Sequence, residues 1–312
     1  MIHFKKKTVA NVIILVLLTF LSGCATGGPK PINESTKQAP VENAVSKESA
    51  IMDEFNRLIH KNNVTAEEIS KFINENMAAV SPKNVSAMII ALEKNQQLNL
   101  LKLQDKFADK DAIQKTLAAD YRDELTDSYL NGIQDKTVRD VLIATQNNGY
   151  KIETAEGFYF PVIDYSLYKK YRANVTPDIA AYIDIMVVES DKTPVKDAAL
   201  MIGWEEVLRR AENQERFIKE YGSSAKIEDV KQLLKRYLAF SLYGANNTPL
   251  FSYEDKKMVP AAKKPYLEAA FNPNNGSFSK IINEYRAVLK KNDYKLTKEV
   301  DEYRKKAEAE FR

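Results

Sequence analysis

Any acid–base chemistry in this chain falls to its carboxylates. Glu156, Asp164, Asp184, Glu189 and Glu205 lie in or beside the middle of the sequence. Two carboxyls held roughly 5–10 Å apart can cleave a glycosidic bond without histidine or metal, one as acid and the other as base or nucleophile. Spacing along the chain does not fix that separation, and among 43 acidic residues such a set always arises, so solvated or ion-paired faces are the plainer reading. Other chemistries lack their residues. His3 and His60 are the only histidines and Cys24 is the only cysteine. That excludes the common zinc sites and the Ser-His-Asp and Cys-His arrangements. His60 ends a Lys- and Asn-rich helical stretch, as a surface residue would. No G-x-G-x-x-G and no P-loop is present. No catalytic residue, metal or cofactor is assigned.

The aromatic residues of the middle stretch suit binding better. Tyrosine and tryptophan offer flat apolar faces with a polar tip, which fit sugars, peptides and small ligands. The candidate ligand-binding set is Tyr159, Asp164, Tyr165, Tyr168, Trp204, Asn246 and Asn247, with Phe158 beside it. Tyrosines at helical spacing also make core, Trp204 falls on an apolar stripe, and Asn246 and Asn247 read equally as turn residues after Gly244.

The elements that must position these residues are mostly helices. Lys, Glu, Asn and Ala are common and Gly is scarce, which favours helix over sheet. Ile51, Phe55, Leu58 and Ile59 recur at helical spacing. Thr65 and Glu68 form a capping box, and Ser81 before Pro82 reads as an N-cap opening a third helix that runs to about Phe107. Ile113, Leu117, Tyr121 and Leu125 mark a fourth helix. Val138, Leu142 and Ile143 mark a fifth, closed by a left-handed cap at Asn147, Asn148 and Gly149. Residues 150–154 then alternate, Gly157 turns the chain, and 158–163 complete a β-hairpin with Pro161 restricting its second strand. Asp164 caps a short helix to Tyr171, and Thr176 and Pro177 open another that ends near Ser190. The stripe from Trp204 to Tyr221 and that from Ile227 to Leu238 give two long helices stopped by Gly222 and Gly244. Residues 217–225 between them resemble the helical hairpins of tetratricopeptide-type repeats, without a second copy at a fixed period. Further helices follow to a charged C-terminal one capped by Thr297.

The expected fold class is therefore mainly α: an antiparallel helical bundle or helical-hairpin array with a small β-hairpin insertion near 150–163. The expected organisation is a signal peptide at 1–23, a lipidated cysteine and flexible linker at 24–49, an N-terminal helical region at 50–149, and the hairpin plus a C-terminal helical region at 150–312.

The first 24 residues set the expected compartment. Lys5, Lys6 and Lys7 precede an uncharged run too short to span a bilayer, which takes about 20 apolar residues. This is the layout of a secretory signal. The run ends in Leu21, Ser22, Gly23 and Cys24, which resembles the lipobox of bacterial lipoproteins at all four positions. The resemblance implies diacylglycerol on the Cys24 thiol and cleavage before it. Several acyl chains then hold the protein firmly on the extracytoplasmic face of the membrane. Removing the three signal lysines leaves 43 of the 46 basic residues against 43 acids. The mature chain is thus charge-balanced, and a broad electrostatic attraction to nucleic acid is excluded. The expected function is a non-enzymatic, membrane-anchored protein that binds an envelope protein, a wall polymer or a small ligand. The alternative is a carboxylate-dependent cell-wall or sugar hydrolase. An α/β solute-binding protein is disfavoured, since strand–helix alternation is missing.

Overall fold

The computed structural model describes residues 39–121, 124–269 and 271–311, with side chains from residue 47 onward. The signal segment and Cys24 lie outside the described residues. The fold is mainly α, with three two-stranded antiparallel hairpins among the described residues.

The N-terminal half holds helices α1 (Ala39–Ile59), α2 (Ala66–Asn76), α3 (Pro82–Ala108), α4 (Asp111–Asp120), α5 (Asp127–Gly132) and α6 (Lys136–Asn147). Helix α1 starts at Ala39, so helix replaces the last part of the expected linker. The Thr65 capping box forms as expected, with both of its hydrogen bonds. Ser81 does not cap α3 with its side chain. Its N–H donates instead to Glu48 of α1 at 2.8 Å, and Asn84 donates to the same oxygen at 2.6 Å. The Ser81 hydroxyl donates to that oxygen as well, at 2.5 Å, and the bonds from the Ser81 hydroxyl, the Ser81 N–H and Asn84 hold the Glu48 carboxyl below its ordinary range. The fourth helix stops at Asp120 rather than continuing to Leu125, and the short α5, which the sequence pattern did not reveal, follows it.

Strands β1 (Tyr150–Ala155) and β2 (Phe158–Ile163) form the expected hairpin, with Ala155 opposite Phe158. Both turn residues, Glu156 and Gly157, have positive φ, as a two-residue hairpin turn of the favoured hand requires. Gly149 ends α6 at φ +74°, and a Cβ there would lie 2.5 Å from Gln96 Nε2. Glycine therefore suits the left-handed backbone there, and the Gln96 carboxamide occupies the space a Cβ would take.

A 3₁₀ segment (Tyr165–Tyr171) capped by Asp164 leads to α7 (Pro177–Asp191). Two further small hairpins, β3 (Val195–Lys196) with β4 (Ala199–Leu200) and β5 (Gly244–Ala245) with β6 (Thr248–Pro249), flank α8 (Trp204–Glu220) and α9 (Ile227–Tyr243). The chain ends in α10 (Pro260–Glu268), α11 (Ser277–Lys291) and α12 (Lys298–Glu310). Asn43–Arg312 packs as one unit. One core gathers α8–α12 around Trp204, Tyr237, Tyr266 and Tyr285, and another gathers α1–α3, the 3₁₀ segment and α7. Tyr182, Phe217 and Val230 join α7, α8 and α9. No helix among the described residues is long and apolar enough to cross a membrane.

Candidate functional site

The seven proposed binding residues do not converge. Tyr165 and Tyr168 are buried, and their hydroxyls donate to Glu93 and Gln96 of α3. Tyr159 exchanges two backbone hydrogen bonds with the Gln114 carboxamide, at 2.8 and 2.9 Å. Asp164 accepts from Ser166 N–H as the cap of the 3₁₀ segment. Trp204 is buried edge-on to Tyr266, with ring centres 6.4 Å apart. Asn246 and Asn247 form the β5–β6 turn: Asn247 donates to Ala198 and Asp197 of the β3–β4 turn, and Asn246 accepts from Tyr253. Each residue has a packing or turn role, and none lines the cleft described next.

That cleft lies between α7 and α8. The two helices run antiparallel, since Glu189 meets Arg210 at one end and Asp178 meets Ser224 at the other. The cleft has a volume of about 220 Å³. Ile185, Val188 and Phe217 give it apolar walls; Asp184, Glu189, Arg210, Asn213 and Gln214 give it polar ones. Two carboxylates named from the sequence, Asp184 and Glu189, therefore line it, whereas Glu156, Asp164 and Glu205 do not.

Glu189 and Arg210 belong to a buried layer. The Arg210 side chain is only 4% exposed. Its Nε donates to Glu206 at 2.7 Å, and its Nη1 donates to the Lys192 carbonyl at 2.9 Å, to Tyr237 Oη at 3.2 Å and to Glu189 at 3.3 Å. Tyr237 Oη donates to Glu189 at 2.6 Å. Burial pushes the Glu189 carboxyl above its ordinary range, outweighing Tyr237 and Arg210, which act to lower it. Burial and the Glu189 charge together raise the Tyr237 phenol.

One turn along α8 from Arg210 sits Gln214, 1% exposed. Neither its Nε2 nor its Oε1 has a hydrogen-bond partner, and no other buried side-chain polar atom among the described residues is so placed. No family model matches the chain, and neither does any curated protein or solved structure. A buried donor and acceptor left unpaired cost about 1–3 kcal/mol each, and such a cost in a cleft wall marks a place where another molecule can repay it. Gln214 escaped the sequence reading because a glutamine on a helix looks like a solvated residue. The hint was its place on the buried stripe with Val207, Ala211 and Ile218.

A second polar knot lies deeper. Glu93 accepts from Tyr165 and Tyr182 at 2.5 Å each and pairs with Lys226 at 2.5 Å. Lys226 also meets Asp229 at 2.9 Å. Burial lowers the Lys226 pKa, but the Glu93 and Asp229 carboxylates more than compensate and leave it raised. Among the described residues, no group of three or more His, Cys, Asp and Glu side chains is arranged to hold a metal ion.

Proposed function

We propose that this protein is a lipid-anchored, extracytoplasmic binding protein that takes a small polar ligand in the α7–α8 cleft. The anchor half of this reading rests on Leu21, Ser22, Gly23 and Cys24. The binding half rests on one observation: the Gln214 carboxamide is buried in a cleft wall with both polar atoms unpaired. The hydrolase alternative draws on the raised Glu189 pKa in the same cleft. Against it, Asp184 stands five residues away on the same helix, turned by about 140°, and is paired with Arg172 at 2.7 Å. Glu220, on the opposite helix, is ten residues past Arg210, the partner of Glu189, or about 15 Å along the axis. Neither acid is therefore set directly across the cleft from Glu189, and Glu206, which shares Arg210 with Glu189, is held in that ion pair.

Cells fed labelled fatty acid should incorporate it into the protein, and Cys24→Ala should abolish both the label and membrane retention. An unlabelled protein that still sediments with membranes would sink the anchor. For the cleft, the full-length protein in detergent is screened by thermal shift against small polar compounds. Ala181→Trp, which fills the cleft without touching the buried layer, should abolish the shifts. Ligands that bind Ala181→Trp unchanged would place the site elsewhere. Glycoside turnover lost in Glu189→Gln would establish the hydrolase.

A further inference from the structure

We infer that the α7–α8 cleft selects a ligand of dipeptide size by pairing the Gln214 carboxamide with an amide edge, an N–H donor and an oxygen acceptor side by side. This rests on the cleft being the binding site and adds the class of ligand. A carboxamide offers one acceptor and two donors in a plane. Its natural complement presents an N–H to Oε1 and an oxygen to Nε2, as a peptide residue in extended conformation or a primary carboxamide does. A sugar hydroxyl or an inorganic anion satisfies only part of that pair. As the side chain stands, both Gln214 polar atoms are closed to solvent and make no hydrogen bond, so the pairing requires a turn of the side chain into the cleft, which breaks none.

The rest of the cleft fits the same class. Its volume of about 220 Å³ falls below the ~300–1,000 Å³ of drug-sized sites, so it seats one or two residues rather than a polymer. At its rim stand Arg216 and Glu220, both lining the cleft and both exposed. Arg216 donates to Asn213, and neither it nor Glu220 has an oppositely charged partner within 4.0 Å among the described residues. One free cation and one free anion beside an amide reader match the carboxylate and ammonium of a zwitterionic short peptide. The apolar walls of Ile185, Val188 and Phe217 leave room for small side chains.

The test uses the ¹⁵N-labelled full-length protein in detergent and three probes: alanyl-alanine, its ester analogue alanyl-lactate, and propionamide. The Gln214 side-chain NH₂ signals are assigned by their loss in Gln214→Met, an unbranched substitution of similar length that removes two unpaired polar atoms and so should fold at least as well. Alanyl-alanine should bind saturably and move those signals. The ester, which lacks the N–H, should bind roughly tenfold more weakly. In Gln214→Met the two should bind alike. Binding of propionamide alone, with the same signals moving, would keep the amide edge and name a free carboxamide as its source. Equal affinity for dipeptide and ester in the unaltered protein, or dipeptide binding with the Gln214 signals unmoved, would overturn the inference. A compound without an amide that binds, moves no Gln214 signal and is blocked by Ala181→Trp would overturn it while leaving the cleft as the site. If nothing binds in a manner sensitive to Ala181→Trp, the cleft reading falls as well.

Discussion

The two buried polar knots of this protein are built from the same residue types and finished differently. Around Glu93 every strong group is answered: two tyrosine hydroxyls and an ammonium meet the carboxylate, and Asp229 takes a further contact of Lys226. That knot ties α3, the 3₁₀ segment, α7 and the start of α9. Around Arg210 the ion pairs are equally well made, but the next turn of α8 carries a carboxamide with no partner, in the wall of a cleft. A closed knot holds helices in one arrangement. An unfinished one beside an opening leaves capacity for a ligand. The lesson is that the missing bond, rather than the buried charge, distinguishes a site from a structural joint.

The largest effect should come from breaking the closed knot. Lys226→Met strands the Glu93 carboxylate in the interior with only its tyrosine donors, and removing one partner of a buried pair costs about 3–5 kcal/mol. Denaturant unfolding of Lys226→Met should show that loss, and Glu93→Gln added to it should restore part of the stability. A loss below about 1 kcal/mol would mean that the knot behaves as a surface pair does. Tyr182→Phe is the next step down. It removes one hydroxyl from the carboxylate and should cost about 1.5–3 kcal/mol, with ligand binding in the cleft unchanged. Weakened binding at intact stability would erase the distinction between the two knots.

How much of this could be read from the sequence depends on the scale of the signal. Helical stripes such as Val85, Met88, Ile89 and Leu92, or Val207, Leu208 and Ala211, announce their elements because burial repeats with the helix. The β1–β2 hairpin was legible through Gly157 and the alternation before it. The small β3–β4 and β5–β6 hairpins were not, since two residues per strand carry no period. The break after Asp120 was hidden because the apolar spacing of Ile113, Leu117, Tyr121 and Leu125 continues smoothly across it. The site fared worse. Tyrosine offers a ligand-binding face, yet Tyr165 and Tyr168 turn inward because α3 offers Glu93 and Gln96 as acceptors some 70 positions earlier, a pairing no local pattern encodes. Asp184 and Glu189 are legible as carboxylates, but what makes the cleft distinctive is Gln214 on the facing helix, visible only once α8 is laid against α7.

Gln214→Met sharpens the comparison from the other side. Replacing an unpaired buried carboxamide by a thioether of similar shape removes a desolvation cost rather than a bond, so it should stabilise the protein by about 1 kcal/mol while weakening amide ligands. The combination of a higher melting temperature and poorer binding is the mark of a residue kept for function at the expense of stability. If the variant is destabilised instead, Gln214 has a structural partner in solution and the unfinished knot is finished after all.

The smallest effect should be in pH. Because the folded protein holds the Glu189 carboxyl above its ordinary range, it retains that proton when the unfolded chain has released it. In that window the native state binds more protons, and stability from this group falls as pH rises above the ordinary 4.5. Arg210, Tyr237 and Arg236 all act to lower the Glu189 value, so the net rise is set by burial. The measurement is a difference: unfolding free energy of the unaltered protein minus that of Glu189→Gln, followed upward in pH from 4. It should decline through the window and then level off. The Glu93 knot responds at the opposite end of the scale. The raised Tyr165, Tyr182 and Lys226 groups keep their protons when folded, so their contribution is complete below pH 10 and is lost as pH rises through their folded values. A difference curve for Glu189→Gln that rises with pH would mean Arg210 outweighs burial, and the cleft layer would then be as fully compensated as the knot around Glu93.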